Sequence, residues 1–253
     1  MVSGDEDKGT VQIWGNTQES ELSERGWAVI EDFVPPHSLE EFRVEADLAI
    51  EAEIEAMERN RGTLFGLSVK GERYYVAGRW KDSAFLKRYL LEGEIGQLAK
   101  TILGGEAYLF NDIFITKMSA GNTRFVWHQD GSYMYFNGMD QYEPNLCFWV
   151  AVDEMTADNG ALLAVTYEDM GGKQMLHHDL SKDWNREELT SATNLPYSTL
   201  AMKAGGLVVF SGHLLHSSGA NRTSQPRRGY LVQYSPKPVY KDGVPFQGVV
   251  PVP

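Results

Sequence analysis

The second half of this chain is a succession of short strand-like runs, and this texture constrains the fold more than any other feature. From residue 107 onward, runs rich in β-branched and aromatic residues alternate with turn signals such as Gly121-Asn122 and Gly205-Gly206. The runs cover residues 107–118, 123–129, 146–153, 161–166, 199–201, 207–211 and 229–234. Many short strands without alternating helices predict an antiparallel jelly roll, a cupin-like double-stranded β-helix, rather than a doubly wound sheet.

The first half predicts helices that support this core. Residues 26–33 read as a short strand that Pro35-Pro36 ends. Ser38 and Glu41 have the spacing of a capping box, and the apolar residues after them recur at helical steps to about residue 60. A second helix is predicted over residues 83–102. We therefore expect a mainly β fold with N-terminal buttressing helices, in one domain over residues 1–253.

Two segments lack this patterning. Residues 1–22 are dominated by small and acidic polar residues, and we expect them to be flexible. Residues 168–192 carry many charges and little apolar alternation, which predicts a long insertion between strands. Such an insertion is either a mobile surface loop or an active-site lid.

Charge and composition exclude several classes of partner. The net charge of −12 disfavours a nucleic-acid surface, because phosphate contacts need clustered Lys and Arg. No run approaches the roughly 18 apolar residues of a membrane span, and the acidic start lacks the features of a secretory signal. Cys147 is the only cysteine, which excludes an internal disulfide and Cys-rich zinc sites. A cytoplasmic protein is the simplest expectation, and its oligomeric state is left open.

Metal-binding chemistry is indicated by His128 and Asp130. They follow a strand-like run, and residues i and i+2 of a strand point to the same face, so both side chains could bind one ion. His216 is the expected third ligand from a later strand. Two histidines and one carboxylate form the set that holds non-haem Fe(II) and leaves one face open.

Other histidines offer weaker alternatives. His177 and Asp179 have the same spacing as the first pair, but they lie in the polar insertion, where no strand fixes their geometry. His213 lies three residues before His216, so both cannot face inward from one strand, and we expect His213 to be a structural or surface residue.

Arg227 and Arg228 begin the last predicted strand, so one must point inward and the other outward. An inward guanidinium makes a bidentate, charge-assisted pair with a carboxylate. Arg227 could therefore hold the far carboxylate of a 2-oxo acid whose other end occupies the open face of the metal.

Together these residues resemble the phytanoyl-CoA dioxygenase family of Fe(II)/2-oxoglutarate oxygenases. The resemblance covers residues from about 25 to 236 and is specific only in combination. It is carried by Trp127-His128-Gln129-Asp130, the strand over residues 148–153, Asn159-Gly160, the strand over residues 206–210, residues 216–222 leading to Arg227, and the opening residues 26–33.

The resemblance implies a role for each matching position. His128, Asp130 and His216 would bind Fe(II), and Arg227 with Ser218 would hold the distal carboxylate of the co-substrate 2-oxoglutarate. Trp149, Lys117 and Asn111 are further candidate contacts to 2-oxoglutarate. The substrate pocket is expected to include Tyr133, Tyr135, Phe136 and Trp184.

The implied activity is a dioxygenase reaction that uses O₂ and 2-oxoglutarate and releases succinate and CO₂. The expected substrate is a small molecule, an amino acid or a natural-product intermediate, hydroxylated at an unactivated C–H bond. Asp130 occupies the position that related halogenases leave to chloride, so hydroxylation is favoured over halogenation. Desaturation, epoxidation or cyclisation would use the same cofactors. A non-catalytic jelly-roll binding protein and a metal-dependent hydrolase or isomerase are the alternatives from other classes.

Overall fold

Two antiparallel sheets form the core of the protein. The computed structural model describes residues 13–62, 64–119, 121–136, 139–140, 145–176, 194–246 and 249–253. The larger sheet contains β1 (Trp27–Ile30), β2 (Leu64–Phe65), β3 (Ser68–Val69), β4 (Arg73–Ala77), β5 (Tyr108–Lys117), β7 (Leu146–Ala151), β10 (Leu207–Ser211), β12 (Arg227–Ser235) and β15 (Val250–Pro251). Its order is β1-β10-β7-β12-β5-β4-β3-β2, with β15 beside β5.

The smaller sheet contains β6 (Phe125–His128), β8 (Leu162–Val165), β9 (Ser198–Leu200) and β11 (Leu215–Ser218), in the order β6-β11-β8-β9. A separate hairpin near the C-terminus pairs β13 (Tyr240–Lys241) with β14 (Val244–Pro245). The predicted mainly β fold with a double-sheet, jelly-roll core is confirmed.

Alternate residues of the central strands face opposite sides of the larger sheet, as the two-residue period of a strand requires. Trp149 and Leu231 face the smaller sheet and share an apolar cluster with Leu162 of β8. Phe148 and Val232 face the other way, into a cluster shared with the helices. The larger sheet is therefore covered on both faces, which explains the almost continuous apolar sequences of β7 and β10.

Four helices precede β5: α1 (Asn16–Arg25), α2 (Pro36–Arg59), α3 (Ala84–Leu91) and α4 (Glu94–Leu103); a fifth, α5 (Asp130–Phe136), follows β6. Phe42, Leu86, Leu90 and Ile95 place α2, α3 and α4 in the cluster on the outer face of the larger sheet. This confirms the predicted buttressing helices. Among the described residues, no helix is both long and apolar enough to cross a bilayer.

Helix α2 begins earlier than predicted. Its first residue is Pro36, the N-cap is Pro35 without a side-chain cap, and Ser38 is buried within the first turn. The capping-box prediction is therefore wrong. Proline suits the first helical position because its φ is already helical and its missing N–H would have no partner there.

The predicted helix over residues 83–102 is two helices, α3 and α4. Ser83 Oγ accepts the first cap hydrogen bond from Leu86 N at 3.1 Å, as a predicted helix start should. The break falls at Gly93, where a Cβ would lie 2.7 Å from the carbonyl oxygen of Tyr89. The chain can turn so tightly between the helices only because this residue has no side chain.

Part of the segment expected to be flexible is helical. Residues 16–22 belong to α1, whose N-cap residue Gly15 donates its backbone N–H to Gln18 Oε1 at 3.2 Å. Leu22 packs against the core beside Trp14, so apolar contacts that the polar composition conceals fix this helix. The strands β2, β3 and β4 were also not predicted, and they extend the larger sheet beyond β5.

Candidate active site

His128, Asp130 and His216 converge between the two sheets. His128 ends β6 and pairs directly with His216 of β11. Their Nε2 atoms lie 3.5 and 3.8 Å from Asp130 Oδ1, and one ligand atom from each residue falls within 4.8 Å of the others. The spacing argument required Asp130 to lie on the same strand as His128. Asp130 is instead the first residue of α5. The end of a strand therefore positions His128, and the start of a helix positions Asp130.

The backbone fixes the tautomer of both histidines. His128 Nδ1 lies 2.7 Å from the carbonyl oxygen of Val126, and His216 Nδ1 lies 3.0 Å from that of Leu214. A carbonyl oxygen can only accept, so each Nδ1 carries the hydrogen and donates it. Each Nε2 then offers its lone pair toward Asp130, the arrangement that a metal ligand requires.

Protonation states favour a cation at this point. Burial lowers the pKa of His216 to about 4, with a further contribution from His128, so the imidazole is neutral at neutral pH. Burial raises the pKa of Asp130, but His216, and then His128, would stabilise its ionised form when they carry a second proton, and together they lower this pKa to about 2. An ionised carboxylate beside two histidine imidazoles is the donor set of a divalent metal.

Gln129, between the two ligands of the motif, points away from the metal position. Its Nε2 donates to the carbonyl oxygens of Gln174 and His213 at 2.8 and 2.7 Å, and its Oε1 accepts from Leu176 N at 2.8 Å. The fully buried amide thus ties the start of the predicted insertion to the metal-binding motif. His213 lies in the turn before β11, outside the ligand group, and its predicted structural or surface role stays a prediction.

Three buried cations lie in one row across the larger sheet. Arg73 of β4 is opposite Lys117 of β5, which is opposite Arg227 of β12. All three side chains are almost completely inaccessible to solvent. Burial lowers the pKa of Lys117 well below its usual value, and the charges of Arg227 and Arg73 lower it further. These basic side chains create a positive potential around Arg227, which a bound anion would offset.

Arg227 has a donor with no acceptor. Its Nη2 donates to the carbonyl oxygen of Gly160 at 2.9 Å, and its Nε is 3.5 Å from that of Asn159. Its Nη1 is buried and has no hydrogen-bond partner among the described residues, although the side chain lines the cavity. Unpaired buried donors are costly, so this atom indicates a missing acceptor. Arg228 points outward to Asp153, as the alternation predicted.

Trp149 and Ser218 complete this end of the cavity, and both line it. The indole of Trp149 lies beside the guanidinium of Arg227, with the Arg227 Cζ 5.5 Å from the ring centroid, and its Nε1 is a second buried donor without a partner in the described chain. Ser218 Oγ accepts from Lys117 Nζ at 2.7 Å, which leaves the hydroxyl hydrogen free to donate. Two nitrogens and one hydroxyl can thus donate to one ligand.

Lys117 and Asn111 have protein partners. Lys117 Nζ donates to Ser218 Oγ and to the carbonyl oxygens of Ser218 and Gly219, which accounts for its three hydrogens. Asn111 Nδ2 donates to Gln233 Oε1 at 2.7 Å, six residues before Lys117 on the same strand. Six residues of strand span about 20 Å, so the two side chains are far apart, and of the two only Asn111 lines the cavity. Their predicted contacts to a co-substrate stay predictions.

The site opens into a cavity of about 470 Å³. Beyond the metal position its described walls are mostly apolar, and Phe110, Met134, Met139 and Phe246 belong to one hydrophobic cluster. Tyr133 lines the cavity as predicted, whereas the side chains of Tyr135 and Phe136 lie outside the described residues. His177, Asp179 and Trp184 lie outside them as well.

Sequence reasoning missed several residues of the site. Gln233 and Cys147 contact Asp130, and Tyr75 and Lys241 line the cavity. Gln233 lies on a strand that was recognised, and its inward parity was a usable signal. The position of Lys241 depends on the C-terminal hairpin, which no sequence pattern predicted.

A comparison with protein families decides the affiliation. The family model described as phytanoyl-CoA dioxygenase matches residues 22–229. This chain belongs to the phytanoyl-CoA dioxygenase family. The relatives and structural neighbours are iron- and 2-oxoglutarate-dependent oxygenases, which confirms the predicted enzyme class.

Individual members and structures are distant. A phytanoyl-CoA dioxygenase of Arabidopsis thaliana is 24% identical over 148 residues, which cover 57% of this chain and 50% of that protein. The structure of EctD from S. alaskensis with 2-oxoglutarate and 5-hydroxyectoine has a TM-score of 0.69 at 18% identity, covering 94% of this chain and 84% of that one. The carbocyclase SnoK from nogalamycin biosynthesis gives 0.67 at 18%, covering 91% and 88%. These likenesses establish a shared fold.

Proposed function

We propose that this family member hydroxylates an apolar small molecule at an unactivated C–H bond, with His128, Asp130 and His216 holding Fe(II) and Arg227 holding 2-oxoglutarate. The observation that carries the proposal is that one cavity contains both the ligand group and the unpaired Nη1 of Arg227. A site that only stored a metal would have no use for a buried guanidinium with a free donor.

The residues present fit the metal. Two imidazoles and one ionised carboxylate occupy one side, and the remaining sides face the cavity. This is the facial set typical of Fe(II) oxygenases. When bound, the iron would supply O₂ activation coupled to the oxidation of 2-oxoglutarate to succinate and CO₂.

The chain fits the co-substrate as well. Arg227 Nη1 would donate to the distal carboxylate, and the free hydroxyl hydrogen of Ser218 would donate to the same group. Trp149 would cover one side of the co-substrate and offer its Nε1. The row of buried cations would strengthen these contacts, because charges interact strongly away from water.

The substrate would occupy the apolar part of the cavity. Phe110, Met134 and Phe246 offer no polar partner, and methionine side chains adapt to ligands of irregular shape. This favours a natural-product intermediate over a free amino acid. Lys241 is exposed at the rim. Apart from Arg227 and the ligand group, it is the one basic side chain among the described lining residues. We expect it to attract an acidic group on the substrate.

Hydroxylation is the outcome we propose, since Asp130 fills the position that a halide would need. Neighbouring structures with the same fold are named as an epimerase and a carbocyclase, so related sites carry out other oxidations. Those outcomes depend on how the substrate lies over the metal. They would use the same protein contacts to Fe(II) and 2-oxoglutarate.

Turnover of 2-oxoglutarate tests the proposal. Purified protein with 2-oxoglutarate, Fe(II), ascorbate and O₂ should form succinate slowly without substrate, and Asp130→Ala should abolish this. A panel of apolar acids from one to four rings should contain compounds that raise the rate and gain a single oxygen by mass spectrometry. Succinate formation that is unchanged in Asp130→Ala would contradict the proposal.

A further inference from the structure

The two oxygens of the Asp130 carboxylate have different surroundings. Oδ1 faces the Nε2 atoms of His128 and His216, at 3.5 and 3.8 Å. Oδ2 accepts two hydrogen bonds from the larger sheet, one from Gln233 Nε2 at 3.1 Å and one from Cys147 Sγ at 3.2 Å. One oxygen is thus presented to the metal position, and the other is anchored on the protein.

Gln233 is itself fixed on every side. Its Oε1 accepts from Asn111 Nδ2 at 2.7 Å, and its Nε2 donates to Cys147 Sγ at 3.2 Å as well as to Asp130. Asn111, Gln233 and Cys147 are direct neighbours across β5, β12 and β7. Because Asn111 donates to the oxygen of the Gln233 amide, the nitrogen of that amide must face Asp130.

The backbone around Asp130 does not provide the same control. Asp130 lies beyond the end of β6, at the first position of α5, so no strand partner holds it. The terminal torsion of an aspartate has a broad, two-fold distribution, and the carboxylate could otherwise turn. Two donors on Oδ2 penalise every orientation in which Oδ1 leaves the histidines.

We infer that Gln233 is a positioning residue, oriented by Asn111 and assisted by Cys147, that directs Asp130 Oδ1 toward the metal. The inference rests on the proposed role of Asp130 as a ligand. Partners of metal ligands typically contribute about 10- to 100-fold in metal affinity. Gln233 would act through Asp130, without being a ligand of the metal itself.

Metal affinity, measured apart from turnover, tests this role. Fe(II) is titrated anaerobically against a chromophoric chelator with wild type, Gln233→Met and the control Gln97→Met, which changes an exposed glutamine of α4. Gln233→Met should bind Fe(II) about 10- to 100-fold more weakly, and Gln97→Met should equal wild type. Equal affinity in Gln233→Met and wild type would overturn the inference, whereas no Fe(II) binding by wild type would contradict the proposed function instead.

Two further comparisons separate positioning from a general loss of structure. As a single substitution, Asn111→Leu should weaken Fe(II) binding. Combined with Gln233→Met it should cause no further loss, because Asn111 acts through the Gln233 amide. Additive losses of Fe(II) affinity would overturn the assignment. If Gln233→Met does not fold, as judged by circular dichroism, the Fe(II) affinities of two Cys147 variants test the inference instead. Cys147→Ser keeps a donor and should bind Fe(II) more tightly than Cys147→Ala, and equal affinities would overturn the inference.

Discussion

The indole of Trp149 occupies the space in which a side chain on Gly229 would lie. A Cβ on Gly229 would be 2.2 Å from Trp149 Cζ2 and 2.6 Å from Cη2. Both residues lie in the larger sheet, on the adjacent strands β7 and β12. The glycine therefore allows the ring to lie close to β12, beside Arg227, and leaves the Arg227 end of the cavity open.

Gly229→Ala should move this ring into the cavity. The expected results are a loss of about 1–3 kcal/mol in the free energy of unfolding, as for other overpacked cores, and weaker binding of 2-oxoglutarate by calorimetry. Gly219→Ala is the matched control, because a Cβ there meets nothing within 4 Å. Equal 2-oxoglutarate affinity in both variants would show that Trp149 does not border the co-substrate.

Arg227→Lys should weaken 2-oxoglutarate binding about 10- to 100-fold, the equivalent of one or two hydrogen bonds to a charged group. Lysine keeps the charge but loses the fork that can donate through Nη1 while Nη2 binds Gly160. Arg228→Lys is the control, since Arg228 pairs with Asp153 and Asp47 on the opposite face. Similar losses in both variants would indicate a general effect on β12 rather than a co-substrate contact.

His216→Ala should abolish tight Fe(II) binding, and His213→Ala should leave it nearly unchanged. The first variant removes one of three ligand atoms, whereas the second changes a turn residue outside the ligand group. Anaerobic equilibrium dialysis measures both. Retention of Fe(II) by His216→Ala would contradict the assigned ligand set.

Lys241→Glu should remove any preference for acidic substrates. With 2-naphthoate and 2-naphthamide as probes of equal size, wild-type succinate formation should be stimulated more by the acid. Reversal of one exposed charge should change this ratio about 3- to 10-fold, given about 1 kcal/mol for an exposed pair. Lys203→Glu, an exposed lysine outside this cavity, should keep the wild-type ratio. No preference in wild type would mean that Lys241 has no such role.

Much of the fold was predictable because burial of one face of a helix or strand leaves a periodic spacing of apolar residues in the sequence. The strands from β5 to β12 were predicted within a few residues wherever alternate residues face a core. β11 was not, because Leu215-His216-Ser217-Ser218 combines polar and ligand residues that face the cavity. The start of α2 at Pro36 was missed because Ser38 and Glu41 imitate a cap that the proline makes unnecessary.

The site was predictable to the extent that its chemistry depends on residue type. A histidine-aspartate pair, a later histidine and an inward arginine indicated the ligands and the co-substrate clamp, and the structure brings all of them to one cavity. The support of Asp130 by Gln233 depends on which residues are neighbours across β5, β12 and β7, and a single sequence does not record that register.

An anaerobic spectroscopic titration tests the central claim most directly. Fe(II) and then 2-oxoglutarate are added to the metal-free protein while the visible spectrum is recorded. A charge-transfer band should appear only when both are present, and it should be absent in Asp130→Ala and need more 2-oxoglutarate in Arg227→Lys. A folded wild-type protein that gives no band with both additions would contradict the account of this cavity as an Fe(II)/2-oxoglutarate site.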